Sequence, residues 1–183
     1  MQALSLGVYV IGVTTGASRN AFTASAVMPV SLDPVMLAVC VGRHHASHPM
    51  MCSGPGFTIN VLRGDQLDLA RHFGTQSGRH ADKLRGIRWR AASNGAPVLE
   101  EALAYFECEL HGTLPAGDHE LVVGRVCAGE LLAPGSPLTY SATGNMDGAA
   151  QRYGPIMPPS QGRNWQSDRI LPGPTAHEST PGG

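Results

Sequence analysis

Residues 7–34 read GVYVIGVTTGASRNAFTASAVMPVSLDP, and the reading of this stretch decides the fold class. Its first nine residues, GVYVIGVTT, are dense in β-branched side chains and predict a strand. The polar run Gly16-Ala17-Ser18-Arg19-Asn20 predicts a turn, with a second strand around Ala21–Ala26. Val27 to Leu32 continue in extended form. Asp33-Pro34 stops them, because a residue before proline avoids the helical region.

Further along, VMLAVCVG at 35–42 is an almost unbroken apolar run and predicts a central strand covered on both faces. A short helix is expected after it, with Ser47 as cap and Pro49 in the first turn. FTINVL at 57–62 predicts another strand. Residues 65–73 place Leu67, Leu69, Ala70 and Phe73 at spacings that fit a helix with one buried side, ended by Gly74. Residues 75–98 read as polar and irregular. LAYFECELH at 103–111 and HELVVGRVC at 119–127 predict two strands around a turn at 115–118, the first alternating Leu103, Tyr105, Glu107 and Glu109 against Ala104, Phe106, Cys108 and Leu110. Residues 129–137 read as a loop and 138–140 as a last short strand. Six or seven hairpin-joined strands and two or three short helices make a mainly β chain, best satisfied as a small barrel with appended helices.

The length of 183 residues suits one domain. Fourteen acidic and 13 basic side chains leave a formal charge of -1, which argues against a nucleic-acid or anionic-membrane surface. An apolar fraction of 42% is too high for a disordered chain, and 23 glycines with 14 prolines argue against long helical bundles. No apolar run approaches the roughly 20 residues of a membrane helix, and the start lacks the basic region of a signal peptide, so a cytoplasmic setting is expected. Cys40, Cys52, Cys108 and Cys127 form no CxxC pair. Cys40, Cys108 and Cys127 are read as reduced core residues and Cys52 as the exposed one. The chain has no GxGxxG after a strand, no GxxxxGK[ST], no GxSxG and no HExxH, so the usual dinucleotide, P-loop, esterase and zincin sites are unsupported.

Four polar features remain, each with two readings. Thr23 and Ser25 share a strand face near Asn20, either as ordinary hydroxyls beside a turn or as a rim for a heteroaromatic edge or a phosphate. His44, His45 and His48 form either a metal-binding loop or a solvated, anion-contacting one. Pro49 disturbs the local helix there, and no metal is assigned. His119, after the turn Gly117-Asp118, either faces a pocket or packs at a strand start. The basic group Lys83, Arg85, Arg88 and Arg90, which includes the only lysine of the chain, either meets phosphates or stays solvated.

Taken in order, these segments resemble the flavin reductase-like, FMN-binding split-barrel family. NAFTASAVMPVSLDP at 20–34 resembles the family's most diagnostic stretch, and PGFTINVLRGDQLDLARHFG at 55–74 is very close to its Phe-x-x-Asn-x-Leu strand and following helix. VMLAVCVGRHHASHPMM, GAPVLEEALAYFECEL, AGDHELVVGRV and PLTY are similar to its central and late strands and its closing motif. The resemblance covers about residues 7–140. It implies a split-barrel domain over 1–145, and 146–183 is read as a Gly/Pro-rich extension.

The resemblance further implies a homodimer with flavin near the subunit interface. FMN is preferred, FAD is the alternative, and NADH or NADPH is the electron donor. The implied activity is flavin reduction, with reduced flavin passing to a partner monooxygenase. The alternatives are a flavoprotein holding FMN as a fixed redox centre, flavoredoxin-like, and a non-enzymatic flavin-binding protein. Carried over by position, Asn20, Thr23, Ala24 and Ser25 line the flavin ring and ribityl chain. Val41, Arg43 and Ser47 approach the ribityl and phosphate oxygens. Phe57, Asn60 and Leu62 lie on the strand beside the cofactor, with Phe57 mainly packing. Lys83 and Arg85 fall near the phosphate, and His119 faces the flavin and nicotinamide and is the catalytic candidate.

Overall fold

The computed structural model describes residues 4–76, 78, 82–144 and 146. The extension expected at 146–183 lies, apart from Met146, outside the described residues. Strand β1 (Tyr9–Thr15) pairs antiparallel with β2 (Ser18–Ala24), Thr15 facing Ser18. The turn is therefore only Gly16-Ala17, shorter than expected, and Ser18, Arg19 and Asn20 belong to the strand. Gly16 makes this possible with φ +57°, a left-handed value that tight hairpins require. β3 (Val27–Leu32) and β4 (Val35–Gly42) form the next hairpin, turning at Asp33-Pro34, whose peptide bond is cis.

After β4 come the helix α1 (His48–Ser53), strand β5 (Gly56–Val61) and helix α2 (Leu67–Thr75). The short strands β6 (Trp89–Ala91) and β7 (Pro97–Leu99) pair with each other, and the long hairpin β8 (Ala104–Ala116) and β9 (His119–Leu131) follows. A 3-10 turn at Tyr140–Thr143 replaces the expected last strand, although Thr139 still bridges Gly7. Among the described residues no helix is long and apolar enough to cross a membrane.

Seven strands form one antiparallel sheet in the order β2-β1-β5-β8-β9-β4-β3. β2 and β3 are thus opposite edges, yet only Ser25 and Ala26 separate them in sequence. In a flat sheet those edges stand about 29 Å apart, at about 4.8 Å per strand. Three peptide steps span at most about 11 Å. The sheet must therefore curl into a barrel, and because β2 and β3 are not paired with each other the barrel stays split along that seam. β4, expected in the centre with both faces covered, is next to the edge, and its first residues are exposed or half-buried. The middle falls to β5 and β8.

Two apolar layers result. Ile11, Val13, Phe22, Val39, Val41, Phe57, Ile59 and Val122 fill one, with Met51 of α1 packed among them. Val10, Ala21, Leu62, Leu99 and Tyr140 pack in the other with Ala70 and Phe73, the apolar stripe of α2. The alternation expected along β8 breaks at a bulge between Glu107 and Cys108. Glu107 and Cys108 are both buried in consequence, and Phe106 turns partly outward. Cys127, opposite the irregularity, is exposed rather than in the core, and Cys52 is half-buried rather than exposed. All four cysteines are free thiols.

The β6–β7 hairpin, read from sequence as irregular chain, is held by Asn60. This residue is fully buried on β5. Its amide N–H groups donate to Val10 O at 2.9 Å and Pro97 O at 3.2 Å, and its oxygen accepts the Leu99 N–H at 2.8 Å. The neighbouring Thr58 hydroxyl also donates to Pro97 O. Removing a buried amide strands several polar groups at once. Asn60→Ala is expected to destabilise the protein by about 2–4 kcal/mol. The test is the urea-denaturation midpoint, and an unchanged midpoint would contradict the clamp.

Candidate functional site

A cleft of about 420 Å³ opens at the seam where the barrel fails to close. One wall is Phe22 to Ala26, the end of β2 and its step into β3, and the other is Cys40, Val41 and Gly42 of β4. His44 and His45 line it after β4, as do Asp118 and His119 at the tip of the β8–β9 hairpin. β2 pairs only with β1, so its other backbone edge carries no ladder partner. The volume falls within the roughly 300–1,000 Å³ of small-molecule and cofactor sites. A smaller cavity of about 70 Å³ borders the same Thr23–Ser25 strip and is also lined by Val8, Gly74, Tyr140 and Thr143.

Backbone hydrogen bonds fix the walls. Arg43 N–H donates to Asp118 O at 3.0 Å, which ties the end of β4 to the hairpin tip, where Gly42 faces His119. The His119 ring lies over Gly42: a Cβ there would be in ordinary van der Waals contact, 3.7 Å from Nε2. Asp118 Oδ1 lies 2.7 Å from His119 Nδ1 and, as the carboxylate acceptor, places a proton on that nitrogen. His45 accepts the Ser47 N–H on Nδ1 at 3.3 Å and packs its ring on Phe22 at 4.7 Å. The Thr23 hydroxyl donates to Ala70 O at 2.7 Å and locks the rim strand to α2. Burial pushes the Cys40 thiol up, so the cleft carries a neutral sulfur there.

Thr23, Ala24, Ser25, Val41 and His119, distant in sequence, are thus brought together. The remaining candidates stand apart from the cleft lining. Asn20 is buried, its oxygen accepts the Ala21 N–H at 2.8 Å, and Gly78 packs against its amide. Arg43 and Arg85 are exposed and not part of the lining, although Arg43 lies between Gly42 and His44. Ser47 precedes α1 but makes no capping bond, and its fully buried hydroxyl has no partner among the described residues. Asn60 is used up by the β6–β7 clamp. Lys83 does not reach the cleft either. It is 2% exposed, its Nζ donates to Phe73 O at 3.2 Å, and it lies over the Phe73 ring. Burial lowers its pKa to about 8.

Sequence reasoning missed Phe22, Ala26, Gly42 and Asp118 as lining residues, read Cys40 as core although it is half-buried at the cleft, and left His44 and His45 with a loop. The signal present was the hairpin register: a turn at Gly117-Asp118 aims the next side chain at the neighbouring strand end.

The family model described as flavin reductase like domain matches residues 1–149. The chain is 35% identical over 143 residues to the high molecular weight rubredoxin of Moorella thermoacetica, covering 77% of this chain and 62% of that protein's length. Among solved structures, it is similar to an NADH:FAD oxidoreductase of Streptomyces globisporus, with a TM-score of 0.72, 28% identity, and coverage of 78% of this chain and 85% of that one. It is also similar to an FMN-binding protein of Thermus thermophilus, with a TM-score of 0.67, 29% identity, and coverage of 71% and 72%.

The lysine generates a prediction. Between its folded value of about 8 and its ordinary value near 10.5, the unfolded chain binds the extra proton, so stability rises with pH across that window. At neutral pH the buried charge is a net cost. Lys83→Met is expected to raise the thermal midpoint at pH 7, with a gain that shrinks toward pH 10. Calorimetry across that range is the check, and a uniform loss of stability would refute it.

Proposed function

This chain belongs to the flavin reductase like domain family, and from that premise we propose that it reduces flavin, FMN or else FAD, with hydride from NADH or NADPH. We propose further that reduced flavin leaves to serve a partner monooxygenase. The observation that carries the reading is the cleft itself, where the edge of β2 at Thr23–Ala24, which carries no ladder partner, faces Gly42 and His119. A bound flavin supplies the hydride-accepting ring.

The chain's own task is to hold two flat rings in contact and to place fixed dipoles beside the flavin carbonyls. Backbone amides and hydroxyls of the 23–26 rim suit that task, and hydride transfer asks for no catalytic triad. His119, oriented by Asp118, is the proposed contact for the nicotinamide carboxamide. Asn20, Arg43, Ser47, Asn60, Lys83 and Arg85, which stand outside the cleft lining, have no part in this proposal. Four reduced thiols suit the proposed cytoplasmic setting.

The assembly we propose is a homodimer. β3 ends the sheet with an unpaired edge, and Met28, Val30, Leu32 and Val35 are exposed along its hairpin, Leu32 at 86%. A second copy of the same chain covers such an edge most simply. Leu32→Arg is expected to shift the protein toward monomer in sedimentation analysis.

The similarity to the FMN-binding protein of Thermus thermophilus favours a second reading, in which flavin stays bound as a fixed redox centre. Anaerobic reduction with NADH and with NADPH, with and without added FMN, separates the two. Colourless dialysed protein that oxidises NAD(P)H only with added flavin supports the reductase, and persistently yellow protein supports the fixed centre. No saturable flavin binding would overturn both. In the reductase, His119→Ala is expected to raise the apparent KM for NAD(P)H more than it weakens flavin binding. An unchanged KM would remove His119 from the site.

A further inference from the structure

Away from the cleft lining, α1 and β9 bring three metal-ligand side chains together. His48 and Cys52 are four residues apart and share one face of α1. Glu120 stands opposite on β9, one residue beyond His119 and turned to the other face by strand alternation. The His48 nitrogen, the Cys52 sulfur and a Glu120 carboxylate oxygen all lie within 4.8 Å of one another, and His48 Nε2 is 2.9 Å from Glu120 Oε2. We propose that His48, Cys52 and Glu120 form a binding site for a thiophilic divalent cation of the Zn²⁺ class.

The donor set fits this ion. One imidazole, one thiolate and one carboxylate are the ligand types zinc selects, at about 2.0–2.3 Å each. A tetrahedral ion at those distances sets its ligands about 3.3–3.7 Å apart. The side chains therefore need only small movements to close on it. With neutral imidazole, the thiolate and carboxylate balance the dication, and the thiol proton leaves to solvent as the S–Zn bond forms. Two further groups face Glu120: the Thr113 side chain hydrogen-bonds it and Arg43 lies within electrostatic reach. Thr113 is placed to orient the carboxylate, as outer partners of metal ligands do.

A His–Glu ion pair alone would dock α1 without help from Cys52, so the sulfur is the discriminating group. All three side chains are half-buried, which leaves a fourth position for water or an added ligand. The bound ion would staple α1, whose Met51 sits in the barrel's apolar interior, to the strand that carries His119.

The test uses the flavin-free full chain without nicotinamide, so it does not depend on the reductase reading. Zn²⁺ competition against a chromophoric chelator is expected to give one site per chain with a Kd of about 10 µM or tighter. Cys52→Ser and Glu120→Gln are each expected to weaken it at least about 10-fold. Peptide-resolved maleimide labelling of the unaltered protein is the second measurement, with Zn²⁺ slowing modification of Cys52 but not of exposed Cys127. No binding in this range, binding unchanged in both variants, or Cys52 labelling indifferent to Zn²⁺ would overturn the site.

Discussion

A two-residue covalent step between opposite edges of one sheet governs this molecule. Ser25 and Ala26 leave the chain no slack, so the sheet must curve until β2 and β4 come close. That closure creates the enclosed apolar layer around Phe57 and Ile59, and it also prevents the ladder from being completed. The cost of an unfinished barrel is an edge of unpaired peptide groups. The cleft is where those groups face an opening of ligand size.

The polar residues divide by the same logic. Those deep in the structure are spent on partners within the protein: Asn60 on three backbone carbonyl and amide groups, Glu107 on the Ser93 hydroxyl and the Asn94 N–H, and Gln66 on Glu101 O. Those at the seam sit where side chains border open space. Burial alone therefore does not mark the site; a polar strip beside an incomplete hydrogen-bond ladder does.

Much of this was legible before any coordinates. The β1–β2 hairpin, the extended 27–32 segment, the β5 strand, the amphipathic α2 and the β8–β9 pair follow from local composition and period, and the order of motifs pointed to the split barrel. The β6–β7 hairpin was missed although Asn94-Gly95 is a turn signal, with Gly95 at φ +84°. The β8 alternation failed where β9 carries one extra residue, Cys127, opposite the Glu107–Cys108 step, an irregularity that composition does not reveal. Within the site, rim residues adjacent in sequence were found, whereas Asp118 and Gly42 matter only through the register of β4 on β9. Asn60 and Lys83 drew attention for their chemistry, but which face a side chain takes is a tertiary fact. The trio on α1 and β9 was hidden because its members lie 72 residues apart along the chain at the widest.

The only lysine in the sequence is sealed beneath α2. Acylating reagents that decorate the outside of most proteins find no lysine amine on the folded surface of this domain. Their slow capture of Lys83 becomes a clock for the transient parting of its own segment from Phe73 of α2, read at one atom and undisturbed by background labelling at other lysines.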